Sequence, residues 1–200
     1  KRGVNAIALL GELKQEVEAK VSMPDGYSMK FFGEEESREE SNAALVGQLP
    51  TALVLIFIVL LLLFGNLRDP LVVLVTVPLI FIGVVLGLGV TGKMFDFFSL
   101  LGLLGLVGMN IKNAVILLSR IRELRADDYE PIHAVVEAAT DRFIPVVAAS
   151  FTTILGMVPL LADSMFGSMA ATIMGGLFVA TLMVLVVLPV VYSLFYRIKL

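Results

Sequence analysis

The chain has 200 residues, with 15 basic and 18 acidic side chains and a formal net charge of −3. Hydrophobic residues make up 58% and charged ones 16%, against about 45–50% and about 25% in soluble domains, and the mean hydropathy is +0.94. A globule this small cannot hide so much apolar surface from water, so lipid is the expected solvent for most of it. The acidic balance argues against a nucleic-acid partner. The absence of cysteine and the single histidine, His133, remove thiolate and histidine-built metal centres, and no cofactor is expected.

Residues 1–42 carry fifteen charged side chains, close to half of the total, and face water. The chain begins at Lys1, shows no cleavable signal pattern, and is read as a piece of a longer protein starting mid-domain. Val4, Ile7, Leu10, Leu13, Val17 and Val21 recur at helical spacing and predict an amphipathic helix over 3–21. Pro24-Asp25-Gly26 is a turn, and Tyr27 to Phe31 alternates as a strand. The acidic run Glu34 to Glu40 starts a further helix that continues towards the membrane. Residues 1–45 thus form a small α+β remnant, and residues 46–200 the transmembrane bundle.

Five apolar segments follow, over 46–65, 71–90, 97–118, 143–161 and 169–195. Each suits the roughly 17–25 residues of a spanning helix except the last, which must tilt or start outside the hydrocarbon. Pro50 and Pro70 are expected near helix starts, and Pro78, Pro159 and Pro189 at kinks or ends. Arg68, Arg120, Arg122, Arg125, Arg142, Arg197 and Lys199 fall on one side and only Lys93 in the other short loops. This bias puts the C-terminus in the cytoplasm and the N-terminal segment outside it. Loop 119–142 is expected to hold a short amphipathic helix on the membrane surface, with Ile132, Val135, Val136 and Ala139 as its apolar stripe and His133 solvated beside it.

Lys112 is the one charged side chain deep within a span. It lies roughly 7 Å from the midpoint of the third segment, where an ammonium costs roughly 2.5–3.5 kcal/mol. Two readings fit: the side chain pairs with a carboxylate inside a helix bundle, or it snorkels to the interface. No Asp or Glu lies inside any of the five segments, so a partner would come from outside this chain. Gly105 and Gly108 share the lysine's face and admit a close neighbour. Asn113, one position on, can join the same network, whereas Asn110 points to a different contact. Gly83, Gly87, Gly175 and Gly176 are small-residue packing positions. No nucleophile elbow, phosphate loop or His-Glu-x-x-His appears, so an enzyme is not expected.

From Pro50 onward the sequence resembles the inner-membrane transporters of the resistance–nodulation–division (RND) superfamily. The resemblance rests on Phe64-Gly65-Asn66-Leu67-Arg68-Asp69-Pro70-Leu71, Val77 to Gly83, Leu103 to Ala114 with its Gly108-Met109-Asn110-Ile111-Lys112-Asn113-Ala114, Phe151 to Leu160, and Met174-Gly175-Gly176. It implies a twelve-span bundle of two repeats in the bacterial inner membrane. Residues 1–45 would be the end of a periplasmic porter domain, and the five spans most of the second repeat. It further implies proton-driven export of small molecules (drugs, amphiphiles or metal ions), a homotrimer, a periplasmic adaptor and an outer-membrane channel. Lys112 matches a relay lysine that pairs with aspartates on a span absent here. A family threonine in the last span aligns with Ala171, leaving Thr172 as the neighbouring hydroxyl. Ile144 stands where many members carry arginine. The alternatives are a non-transporting sensor or scaffold, and a member serving protein export or lipid movement. These 200 residues alone are not expected to pump.

Overall fold

The computed structural model describes residues 34–198 together with Leu13, Glu16, Val17 and Lys20. Those four are helical, while the turn and strand expected over 24–31 lie outside the described residues. The chain divides into two compact units, residues 1–43 and 44–200.

Six α-helices follow in order: α1 Glu34–Phe64, α2 Arg68–Thr91, α3 Phe97–Ala126, α4 Pro131–Met157, α5 Gly167–Leu182 and α6 Leu188–Phe195. A 3-10 turn, Val158–Ala162, follows α4, and a π turn, Met183–Val187, joins α5 to α6. Counting α5, the π turn and α6 as one, five helices are long and apolar enough to cross a membrane. Among the described residues the chain is all-α with no strand, and it is a multi-pass membrane protein.

Helix ends follow local chemistry. Gly65 and Gly92 take φ of 64° and 65°, the left-handed region glycine enters without penalty, and stop α1 and α2. At Gly92 the Lys93 N–H reaches back to the Leu88 carbonyl at 3.1 Å. Asp96 caps α3 by accepting the Ser99 N–H at 2.9 Å. Pro131 opens α4, where its missing donor costs nothing.

Three expectations need correction. Pro50 lies inside α1, because the acidic helix at Glu34 runs straight into the first apolar segment. The connection read as loop 119–142 shrinks to 127–130, since α3 continues to Ala126 and α4 starts at Pro131. Arg120 sustains that extension by bridging Glu123 on α3 and Asp141 on α4, each at 2.8 Å. Finally, no separate surface helix forms. Ala134, Val135 and Ala138 are buried against Ile121 and Leu124, and Val136 is exposed. The stripe has a different phase because its partner is α3, not the bilayer.

The last segment resolves its excess length by bending its ladder. The Leu188 N–H bonds the Met183 carbonyl five residues back, widening one turn just before Pro189. A proline there cannot donate, and its ring would crowd the carbonyl four residues earlier in a regular helix.

Two apolar clusters fill the bundle. One joins Phe64, Val73, Leu117, Ile121, Ala138 and Leu188 among others, and the second joins Ile80, Val84, Leu103, Leu106, Ala171 and Leu177. In the second, α2 and α5 touch through glycines. A Cβ at Gly83 would sit 2.6 Å from the Gly175 carbonyl oxygen, and one at Gly87 would sit 2.5 Å from that of Ala171. Lipid tails give helices no hydrophobic reason to associate, so such backbone proximity and its dispersion contacts hold the pair.

Candidate functional site

Lys112 lies in the second half of α3, ten residues before Arg122, or about 15 Å along the axis. Its side chain is exposed on the bundle surface and lines a groove of about 420 Å³ between α1 and α3. Leu55, Ile56, Val59, Leu60 and Leu63 form the α1 wall, and Gly108, Ile111, Val115 and Ile116 join Lys112 on the α3 wall. The lysine is the groove's one charged lining residue. Among the described residues no carboxylate forms an ion pair with it. A Cβ added at Gly105 or Gly108 would meet nothing within 4 Å, so this face of α3 is smooth and accessible to a further helix.

The neighbouring polar groups divide. Asn110 is fully buried and donates from Nδ2 to the Thr76 hydroxyl on α2 at 2.9 Å. Thr76 in turn donates to the Val73 carbonyl at 2.7 Å. This is the different contact anticipated for Asn110. Asn113 is half-buried and does not line the groove. Thr172 is fully buried on α5, and its hydroxyl has no hydrogen-bond partner among the described residues. It does not line the groove either. Thr181 bonds the Leu177 carbonyl at 2.7 Å and the Ser150 hydroxyl at 2.6 Å, tying α5 to α4. Among the described residues no group of three or more His, Cys, Asp or Glu side chains is placed to hold a metal ion.

The arginine-rich end of the bundle has its own network, centred on Asp69, which lies between the first two apolar segments. Asp69 is fully buried. Asn66 Nδ2 and the Tyr196 hydroxyl donate to its carboxylate at 2.9 and 2.8 Å, and the Arg122 guanidinium is 3.7 Å away. Arg122 also donates to the Phe64 carbonyl at 2.9 Å. The ends of α1, α2, α3 and α6 therefore meet at one buried charge. Burial and the bond to Asp69 push the Tyr196 hydroxyl up to about 12, so it stays a donor across the physiological range. A local signal was present in the sequence: Asn66 also accepts the Asp69 N–H at 2.9 Å, so an Asn and an Asp three residues apart bond each other at the start of α2.

At the opposite end Asp96 accepts from the Ser168 hydroxyl at 2.6 Å, fastening α3 to α5. The N–H groups of Phe166 and Met165 hold the Asp163 carboxyl below its usual range.

The AcrB/AcrD/AcrF family profile matches residues 5–196. The chain belongs to that family. This RND membership agrees with the relatives. The chain is 30% identical to the cobalt-zinc-cadmium resistance protein CzcA of Cupriavidus metallidurans over 98% of its own length and 19% of that protein's. It is 29% identical to the multidrug resistance protein MdtF of Escherichia coli over 90% and 18%. A crystal structure of a heavy metal efflux pump superposes with a TM-score of 0.76 at 29% identity, covering 98% of this chain and 20% of that one. The chain thus spans about a fifth of the RND proteins it matches.

Proposed function

We propose that residues 46–200 form part of the membrane bundle of a proton-driven RND exporter of small molecules, and that Lys112 is the cationic member of its intramembrane relay. The observation that carries this is the placement of Lys112 in an apolar groove beside Gly108, with no acidic partner among the described residues. A charge so deep in hydrocarbon calls for a counter-charge, and the smooth face of α3 suits a helix bringing one. The relatives' names support this reading: CzcA is a cobalt-zinc-cadmium resistance protein, MdtF a multidrug resistance protein, and the superposed structure a heavy metal efflux pump.

On this reading, ionised carboxylates of a span outside this chain hold the ammonium by a low-dielectric attraction. Their protonation removes that attraction and frees the lysine. The helices carrying the two charges then shift relative to each other, and the shift is passed to a porter domain of which residues 1–45 are the end. Asn113 is a secondary member of the relay and Thr172 a more remote one. The basic end containing Arg68, Arg120 and Arg122 faces the cytoplasm, and the assembled protein is a trimer working with a periplasmic adaptor and an outer-membrane channel.

The test is Lys112→Ala in the full-length protein. Proton-coupled efflux is expected to fall to background, with membrane insertion and assembly unchanged by size-exclusion chromatography. Retained efflux in that variant would remove the lysine from the mechanism.

A further inference from the structure

The basic end of the bundle holds a polar pocket, of about 320 Å³, between the α3–α4 turn and the segment after α6. We infer that it binds the phosphate of an anionic phospholipid from the adjoining leaflet. Arg125, Tyr196, Arg197 and the carboxylate of Glu130 supply its polar wall, and Pro131, Ile132 and Ile198 an apolar floor. Arg125 gives one N–H to the Tyr192 hydroxyl at 3.2 Å, leaving most of its five donors for another acceptor. Arg197 is exposed and has no ion-pair partner among the described residues.

The pocket lining is net basic, with Arg125 and Arg197 against Glu130. Arg68 and Arg125 both lie over the Tyr196 ring, at 5.5 and 5.7 Å from its centroid. Asp69 is turned to Asn66, Tyr196 and Arg122 and does not line the pocket, nor do the exposed Asp127 and Asp128 of the α3–α4 turn. The pocket also lies at the right depth. Leu194 and Phe195, both exposed, immediately precede Tyr196, so the site opens at the rim of the apolar belt, where headgroups begin. Basic pockets at that level recruit anionic headgroups. The apolar floor fits glycerol and the first acyl carbons, which a soluble phosphate would leave uncovered. This assignment stands apart from the role of Lys112.

Native mass spectrometry of the delipidated full-length protein tests it, with phosphatidylglycerol and phosphatidylcholine as probes. Phosphatidylglycerol should be retained in preference. Arg197→Gln should lower its affinity about fivefold, the worth of one cation at an anionic surface. Glu130→Gln should raise it, a gain that misfolding cannot imitate, and phosphatidylcholine should not respond to either change. Equal retention of the two lipids, or phosphatidylglycerol binding unchanged in both variants, would overturn the inference. Displacement of phosphatidylglycerol by millimolar inorganic phosphate would assign the pocket to a soluble anion and overturn the lipid as occupant.

Discussion

The seam between α2 and α5 and the groove between α1 and α3 use glycine in opposite ways. At the seam, Gly83 and Gly87 meet Gly175 so closely that no side chain fits. In the groove Gly108, and about one turn before it Gly105, have nothing beside them, and a lysine shares their face. The same residue type therefore marks a finished contact in one place and a receptive surface in the other. Spacing alone does not distinguish them, because a small residue says only that something is able to approach.

The contrast is broken most severely at the seam. Gly175→Ala would drive a methyl into the backbone of Gly87, and such overpacking costs roughly 1–3 kcal/mol. A large drop in thermal stability is expected, whereas Gly105→Ala should leave it unchanged; equal losses would erase the distinction. Gly108→Leu sharpens the other side. It should leave detergent-extracted stability intact but abolish efflux in the full-length protein, because the added bulk fills the face offered to the helix that partners Lys112.

A smaller effect is expected where α1 is fastened. Tyr196→Phe takes one donor from buried Asp69, an expected cost of about 1 kcal/mol, and should speed hydrogen exchange in the last turn of α1, since Asn66 and Arg122 share that carboxylate. In the wild type the Tyr196 contribution is complete below about pH 10. It is lost as pH rises through the folded value of about 12, because the deprotonated form is disfavoured beside Asp69.

The smallest effect is at Asp163. Its depressed pKa means that its bonds to the Met165 and Phe166 amides are fully present above about pH 4 and disappear as pH falls through the lower folded value. Asp163→Ala should accelerate exchange of those two amides at neutral pH and leave the seam untouched. Unchanged exchange would separate the capping geometry from any protective effect.

The spans were legible because a bilayer imposes a length and a polarity that sequence displays directly. Lys112 was legible for the same reason, as a lone charge in an apolar run. The phase of the stripe at 132–139 was not, because it depends on which surface the helix meets, and α3 proved to be that surface. The central position of Asp69 depended on Tyr196, 127 residues away, a separation over which sequence periodicity carries no information. The partner of Gly175 was hidden in the same way, since only the crossing of two helices determines which glycines coincide.

The widened turn at Met183–Val187 has a consequence for how this chain tolerates change in length. It houses one residue more than a regular turn would, so excising exposed Val186 should restore a standard ladder without rotating Tyr192 away from the bundle. The same deletion in the middle of α5 would swing everything after it by about 100°. This span therefore contains a built-in slack point, placed between its glycine-packed half and the aromatic residues that anchor its end.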